Sequence, residues 1–386
     1  MKTDVTIHGR TLVNGENLKG GGERNYGIDL LRILVAFFVC VVHVLGVGGK
    51  IIDATNKFSV LYETACFMEI AVYCAVDCFA MISGYVGLNS KHKHSGLIYL
   101  WLQVIFISVF TTVVGNAILG QAFNFKDVLY AAVPFFTWKY WYFNAYVGLH
   151  FLMPLLDYAI NNMPRKTIKG VLITLIGFAT VYSVIDGNVF NLNGGYSVLW
   201  LALLYLIGGY VRKHQPFSDK KTWKLLLYVF VLIVFTWAWK LTVELSASYI
   251  LPERYTAFFI AHTNMISYVS PTILLVSLFV LIVCQRLKFK QKPKLIAFLA
   301  PLAFGVCIGQ VHKAVWYYIA ENADKFAEMN VFLFVLAVLA TASGVFLVAL
   351  ITDLIRYGVF SLLRVKKILT KLEDKIKNKF RKEENV

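Results

Sequence analysis

Residues 28–48 read I-D-L-L-R-I-L-V-A-F-F-V-C-V-V-H-V-L-G-V-G. About 20 predominantly apolar residues are enough to cross a bilayer as a helix, yet this run holds Arg32 and His43. The two stand about three helical turns apart, so their side chains point to the same side. Ionisable groups inside a span are rare and tend to carry function. Here a cation marks one end of the span and a titratable nitrogen base lies deeper within it. Such a pair could anchor an anionic group and take up a proton from a hydroxyl.

The rest of the chain agrees with a membrane setting. Its 386 residues are 58% hydrophobic and 16% charged, against about 45–50% and about 25% in soluble domains. The length alone admits two or three soluble domains, but stretches such as 97–119, 171–185 and 331–351 are too uniformly apolar for surface helices. We expect an all-α, polytopic integral membrane protein with about ten spans. They fall near 28–48, 66–88, 97–119, 141–160, 168–186, 197–211, 225–246, 266–284, 295–320 and 331–354. Residues 127–138 read as an interfacial or re-entrant segment. The organisation is then an N-terminal tail over 1–26, a membrane domain over 27–355 and a C-terminal tail over 356–386. No internal repeat is visible.

The net charge of +16 does not indicate a nucleic-acid partner, because its distribution follows topology. Of 38 Lys and Arg residues, 29 lie in the two tails and in the loops near 91, 166, 220 and 290. Six lie in the alternate loops, and Arg32, Lys240 and Lys313 fall within spans. The positive-inside rule then places both termini in the cytoplasm of a cell-membrane protein and makes the number of spans even. Attraction to anionic lipids is the secondary consequence.

The C-terminal tail carries Leu362, Val365, Ile368, Leu369, Leu372 and Ile376 at helical spacing against a basic face, the pattern of a helix lying along the inner membrane surface. Residues 1–26 are polar and glycine-rich, so no cleavable signal peptide is expected. The cysteines Cys40, Cys66, Cys74, Cys78, Cys284 and Cys307 lie in or beside apolar runs without zinc or redox spacing, and we read them as small buried residues. No metal is expected.

Several polar residues could serve the chemistry. Neutral imidazole at His43 can take a proton from a hydroxyl at working pH; packing through a hydrogen bond to a neighbouring helix is the plainer reading. Arg32 with Asp29 is either a local ion pair or a phosphate clamp, with Arg24 close by. Glu69 and Asp77, eight residues apart on the second span, bracket the depth of His43, and either could orient its ring. Trp141 and its aromatic neighbours form an interfacial belt that could also stack on sugar rings, while Asn144 sits deeper and could orient an acceptor. Gln310, His312 and Lys313 interrupt the ninth span, and His312 is a second candidate base or a lining group.

The stretch Y-G-I-D-L-L-R-I-L-V-A-F-F-V-C-V-V-H over 26–43 resembles the opening signature of the membrane acyltransferase-3 family, Leu-Asp-x-Leu-Arg followed by His after ten intervening residues. Ile28 replaces the usual first Leu. Phe79–Tyr85, Trp141–Phe143, Leu206–Tyr210 and Gly305–His312 resemble later landmarks in the same order. The resemblance implies about ten spans and transfer of an acyl group, usually acetyl, from cytoplasmic acetyl-CoA or another acyl-CoA. The implied acceptor is a hydroxyl of a cell-surface or lipid-linked saccharide. His43 matches the family's essential histidine and Arg32 its arginine. Many relatives carry arginines before the third span; here K-H-K-H over 91–94 stands in their place, so donor-phosphate contacts there fall to Lys91 and Lys93, with Arg24 beside Arg32. Other implied partners are the lipid bilayer and a polysaccharide-assembly complex.

Two other readings stay open. A transporter would use the intramembrane acids and histidines as a proton relay and would be expected to show repeats. A catalytically silent partner in polysaccharide assembly would keep the fold without the chemistry.

Overall fold

The computed structural model describes residues 6–7, 10–11, 24–46, 48–136, 140–186, 189–263, 265–311 and 313–383. The described chain is helical apart from a two-residue pairing of β1 (Thr6–Ile7) with β2 (Arg10–Thr11). Its first helix, α1, runs Tyr26–Leu45. Asn25 caps it: Oδ1 accepts from the amides of Gly27 at 2.9 Å and Ile28 at 3.2 Å, satisfying donors a helix start leaves orphaned. A short α2 (Ile51–Ala54) leads to α3 (Val60–Val72) and α4 (Ala75–Gly87). Then come α5 (His94–Ile118), α6 (Phe125–Ala132), α7 (Trp141–Asn162) and α8 (Arg165–Asp186). They are followed by α9 (Val198–His214), α10 (Thr222–Ile250), α11 (Glu253–Thr263) and α12 (Pro271–Gln285). The chain continues through α13 (Lys294–Leu299), α14 (Ala303–Gly309), α15 (Lys313–Glu321) and α16 (Ala323–Ala327). It ends in α17 (Val331–Leu362) and α18 (Val365–Glu383).

By length and composition, five described segments can cross a membrane: α1, the α3–α4 pair, α5, α10 and α17. α12 and residues Lys294–Gly309 are shorter apolar helices. The apolar surface faces outward, opposite to a soluble protein. Leu226, Phe230 and Val231 of α10 and Phe332, Leu333, Leu347 and Ile351 of α17 are all exposed, while α10 turns Lys240 and Glu244 inward. This is a multi-pass membrane protein.

Two expected spans are broken. The second starts earlier than expected, at Val60, and divides at Tyr73–Cys74. The hydroxyl of Ser277 on α12 donates to the Cys74 carbonyl at 3.3 Å, which fits a side chain inserted into the ladder as the cause of the break. The ninth becomes α13, a short 3₁₀ turn over Ala300–Leu302, and α14. Pro301, as the second residue of that 3₁₀ turn, has no N–H to give and marks the discontinuity.

α4 and α9 pack backbone to backbone. A Cβ on Gly84 would lie 1.9 Å from the Tyr205 carbonyl oxygen, and one on Gly208 1.9 Å from that of Met81. Small residues at such a crossing let two membrane helices approach closely. The apolar interior forms two large clusters that meet at α1. Ile28, Leu31 and Val35 belong to the cluster that contains α4, α9 and α12. Ala36, Cys40, Val41, Val44 and Leu45 belong to the one built with α14 and α17.

Two groups of buried charges are paired. Lys240 contacts Glu63 at 3.2 Å and Glu244 at 2.8 Å, joining α3 to α10. Arg356 and Asp353 of α17 form a two-pronged pair at 2.8 and 2.6 Å. Gln103 of α5 donates to Asp353 at 2.9 Å, and Arg356 donates to the Tyr99 hydroxyl at 2.8 Å. Removing one partner of such a pair strands a buried charge, so these contacts hold their helices in place. α18 is fastened by Glu373, which accepts from the Ser95 amide of α5 at 3.2 Å and from Lys377 at 2.7 Å.

Candidate active site

His43 occupies the last turn of α1. The chain turns sharply after it, and the His43 carbonyl accepts from Gly48 at 3.2 Å and Gly49 at 2.8 Å. On the ring, Nδ1 lies 3.3 Å from Oε1 of Gln310. With the amide oxygen facing the ring as the acceptor, the matching tautomer carries its proton on Nδ1 and keeps a lone pair on Nε2. Trp316 packs edge-on against the ring, centroids 5.4 Å apart. The structure thus gives the imidazole a partner other than the two acids singled out from the sequence. Asp77 turns toward α9 and accepts from Trp200 Nε1 at 3.1 Å. Glu69 stands beside Gly46, where its Oε1 would be 2.8 Å from an added Cβ.

His43 lines a cavity of about 270 Å³. Val39, one turn before it, lines the same cavity, as do Ala75, Val76 and Phe79 after the break in span two. Aromatic rings from distant segments supply much of the wall: Tyr73, Trp141, Tyr142, Tyr196, Tyr268 and Phe304. They form a packed group. Trp141 lies 4.4 Å from Tyr196 and 6.2 Å from Tyr268, and Tyr73 lies 4.9 Å from Tyr268, by ring centroids. Gly195 makes this possible: at φ 102°, a conformation that favours glycine, it lays the 193–196 turn against Tyr268, and a Cβ there would come 2.5 Å from that of Tyr268. Cys307 also lines the cavity.

Arg32 lies on the same face of α1 as Val39 and His43, about 16 Å from the histidine along the axis. Its Nη1 donates to Asp29 at 3.1 Å, and the side chain keeps 29% of its exposure. Arg24 binds the same carboxylate and donates to the Ala297 carbonyl at 3.1 Å. Two guanidinium groups therefore share one acid, leaving net positive charge at the start of α1. Tyr146 and Ser83, whose hydroxyl donates to the Phe79 carbonyl at 3.0 Å, lie one turn along from the cavity wall. Each follows a cavity residue by one turn, Tyr146 after Tyr142 and Ser83 after Phe79.

The other candidates are spread more widely. Trp141 lines the cavity. Asn144 does not; its Nδ2 donates to the Phe135 carbonyl at 3.0 Å and holds the loop before α7. Lys91 and Lys93 are exposed in the α4–α5 loop. The adjacent His92 meets Asp157 at 2.8 Å, and Asp157 also accepts from the Asn89 amide at 3.0 Å and the Tyr205 hydroxyl at 2.8 Å. His312 lies outside the described residues. Among the described residues no cluster of three His, Cys, Asp or Glu could hold a metal ion.

Gln310 had shown in the sequence only as a polar interruption of an apolar run, and Tyr196 and Tyr268 gave no signal there. Against this geometry, the family model described as an acyltransferase domain, of the acyltransferase-3 type, matches residues 25–353. The chain belongs to the acyltransferase-3 family. The match covers Arg32, His43, Gln310 and every lining residue of the cavity. Membership supports a membrane acyltransferase activity. No curated protein and no solved structure gives a significant match.

Proposed function

We propose that this membrane acyltransferase is an O-acetyltransferase that moves an acetyl group from cytoplasmic acetyl-CoA to a hydroxyl of a cell-surface or lipid-linked saccharide. The observation that carries the reading is the His43 ring, held through Nδ1 by buried Gln310 at 3.3 Å while lining an aromatic cavity. Nε2 takes the acceptor's proton as the hydroxyl oxygen bonds the acyl carbon. The thioester C–S bond breaks, and the imidazolium returns the proton to the departing thiolate. Aromatic faces suit the apolar faces of a sugar ring, and Trp141, Tyr196 and Tyr268 supply them.

Arg32 has guanidinium donors left over after its bond to Asp29 and suits a phosphate group of the donor, which a guanidinium binds in bidentate fashion. Arg24, Lys91 and Lys93 add positive charge toward the same end. The donor's flexible arm would run past Tyr146 and Ser83 to the cavity. Both termini and the basic loops then face the cytoplasm of the cell membrane, with ten spans between them, and α18 rests on the inner surface. The test is transfer of labelled acetyl from acetyl-CoA by purified protein to a panel of saccharides. Labelled protein without acceptor acylation, or no turnover with any acyl-CoA, would remove this assignment.

A further inference from the structure

A second cavity lies away from the His43 site, between α8, α9 and α12, with a volume of about 460 Å³. Its shape on α8 is a stripe at helical spacing: Arg165, Lys169, Ile173 and Ile176. The two cations form one end, and neither has a carboxylate partner among the described salt bridges. Apart from Tyr210 of α9, the side chains beyond them are apolar, with Leu278 of α12 among those that close the far side. The groove opens sideways. Ile173 is 61% exposed, and a Cβ on Gly170 or Gly177 would meet nothing within 4 Å.

We propose that this groove binds one anionic phospholipid, its phosphate on Arg165 and Lys169 and an acyl chain along α8. Length supports this. From Arg165 to Gly177 the stripe runs about 18 Å, close to the roughly 15 Å of one hydrocarbon leaflet. Charge supports it too: a basic mouth on an apolar slot between membrane helices complements an anionic headgroup with its chain attached. Next to the mouth, the His214 ring packs 4.8 Å from that of the lining Tyr210, and its buried Nε2 has no hydrogen-bond partner. A phosphate oxygen at the mouth would offer it one.

The experiment is native mass spectrometry of the full chain released from detergent, loaded with palmitoyl-oleoyl phosphatidylglycerol or with the phosphatidylcholine of the same chains. One phosphatidylglycerol per chain should be retained, with about 30-fold preference over phosphatidylcholine, since each cation near a charged surface contributes about fivefold. The Arg165→Ala/Lys169→Ala variant should hold both lipids equally. Gly177→Phe should fill the groove and lose both, and because its side chain enters open space, folding should survive. Equal retention of the two lipids by the unaltered protein would overturn the proposal. So would unchanged phosphatidylglycerol binding in both variants, which would assign the lipid to the general annulus.

Discussion

Gln310, just past the end of α14 and 267 residues further along the chain, meets the Nδ1 of His43 at 3.3 Å, which turns Nε2 away from that contact. An amide, unlike a carboxylate, brings no charge of its own to the ring.

Replacing Gln310 by Ala should lower kcat about tenfold, the cost of one lost hydrogen bond in a buried position, and leave KM for the donor unchanged. Steady-state kinetics in both substrates checks this. A donor KM that rises with kcat unaltered would show that Gln310 serves binding instead of positioning.

His43→Ala should lose about 10²–10⁴-fold in transfer, the range of general-base catalysis, while inserting and binding acetyl-CoA normally. His43→Gln should fail as well, since an amide forms hydrogen bonds but takes up no proton. Near-normal turnover by either variant would pass the role to another base, with His312 next in line.

For Arg32→Ala, donor KM should rise about 10- to 100-fold, as expected for charge-assisted hydrogen bonds. Arg32→Lys should recover part of the loss, because a point charge lacks the planar fork. Calorimetric titration with acetyl-CoA separates this from an effect on chemistry; equal affinities in all three proteins would place the phosphates elsewhere.

Glu373 predicts a pH effect on α18. Its bonds to Lys377 and to Ser95 hold the carboxyl down at about 2. A carboxylate depressed below its ordinary value near 4.3 stabilises docking above that value and loses the contribution as pH falls from about 4 toward about 2. Hydrogen exchange over residues 365–383 should accelerate through that window. Glu373→Gln should show fast exchange already at neutral pH, and protection equal to the unaltered protein would mean that other contacts hold the helix.

Single cysteines placed near positions 220 and 290 should react only with reagents that reach the cytoplasm. Labelling from outside at either position would invert the map drawn from Lys and Arg.

Much of this was readable along the chain. Arg32 and His43 share a helix, so their common face follows from spacing alone, and apolar runs reveal spans because each is local. Gly84, within the Phe79–Tyr85 stretch, packs against Tyr205. The break in the second span was not readable. The division at Tyr73–Cys74 has no proline or glycine to mark it, and the hydroxyl associated with it, Ser277, is 203 residues away. Pairing polar groups across a bundle is equally hidden: Asp77 fitted the depth of His43, yet its rotation about the helix axis took it to Trp200.

α1 places Arg32 beside residues of one apolar cluster and His43 among those of the other. If acceptor binding tightens the His43 side, the second half of α1 moves against its first, and the distance from phosphate anchor to base changes with it. Donor and acceptor affinities are then linked, each substrate altering the other's by the same factor. A helix that two cores hold in common would so tie the anchor at Arg32 to the base at His43.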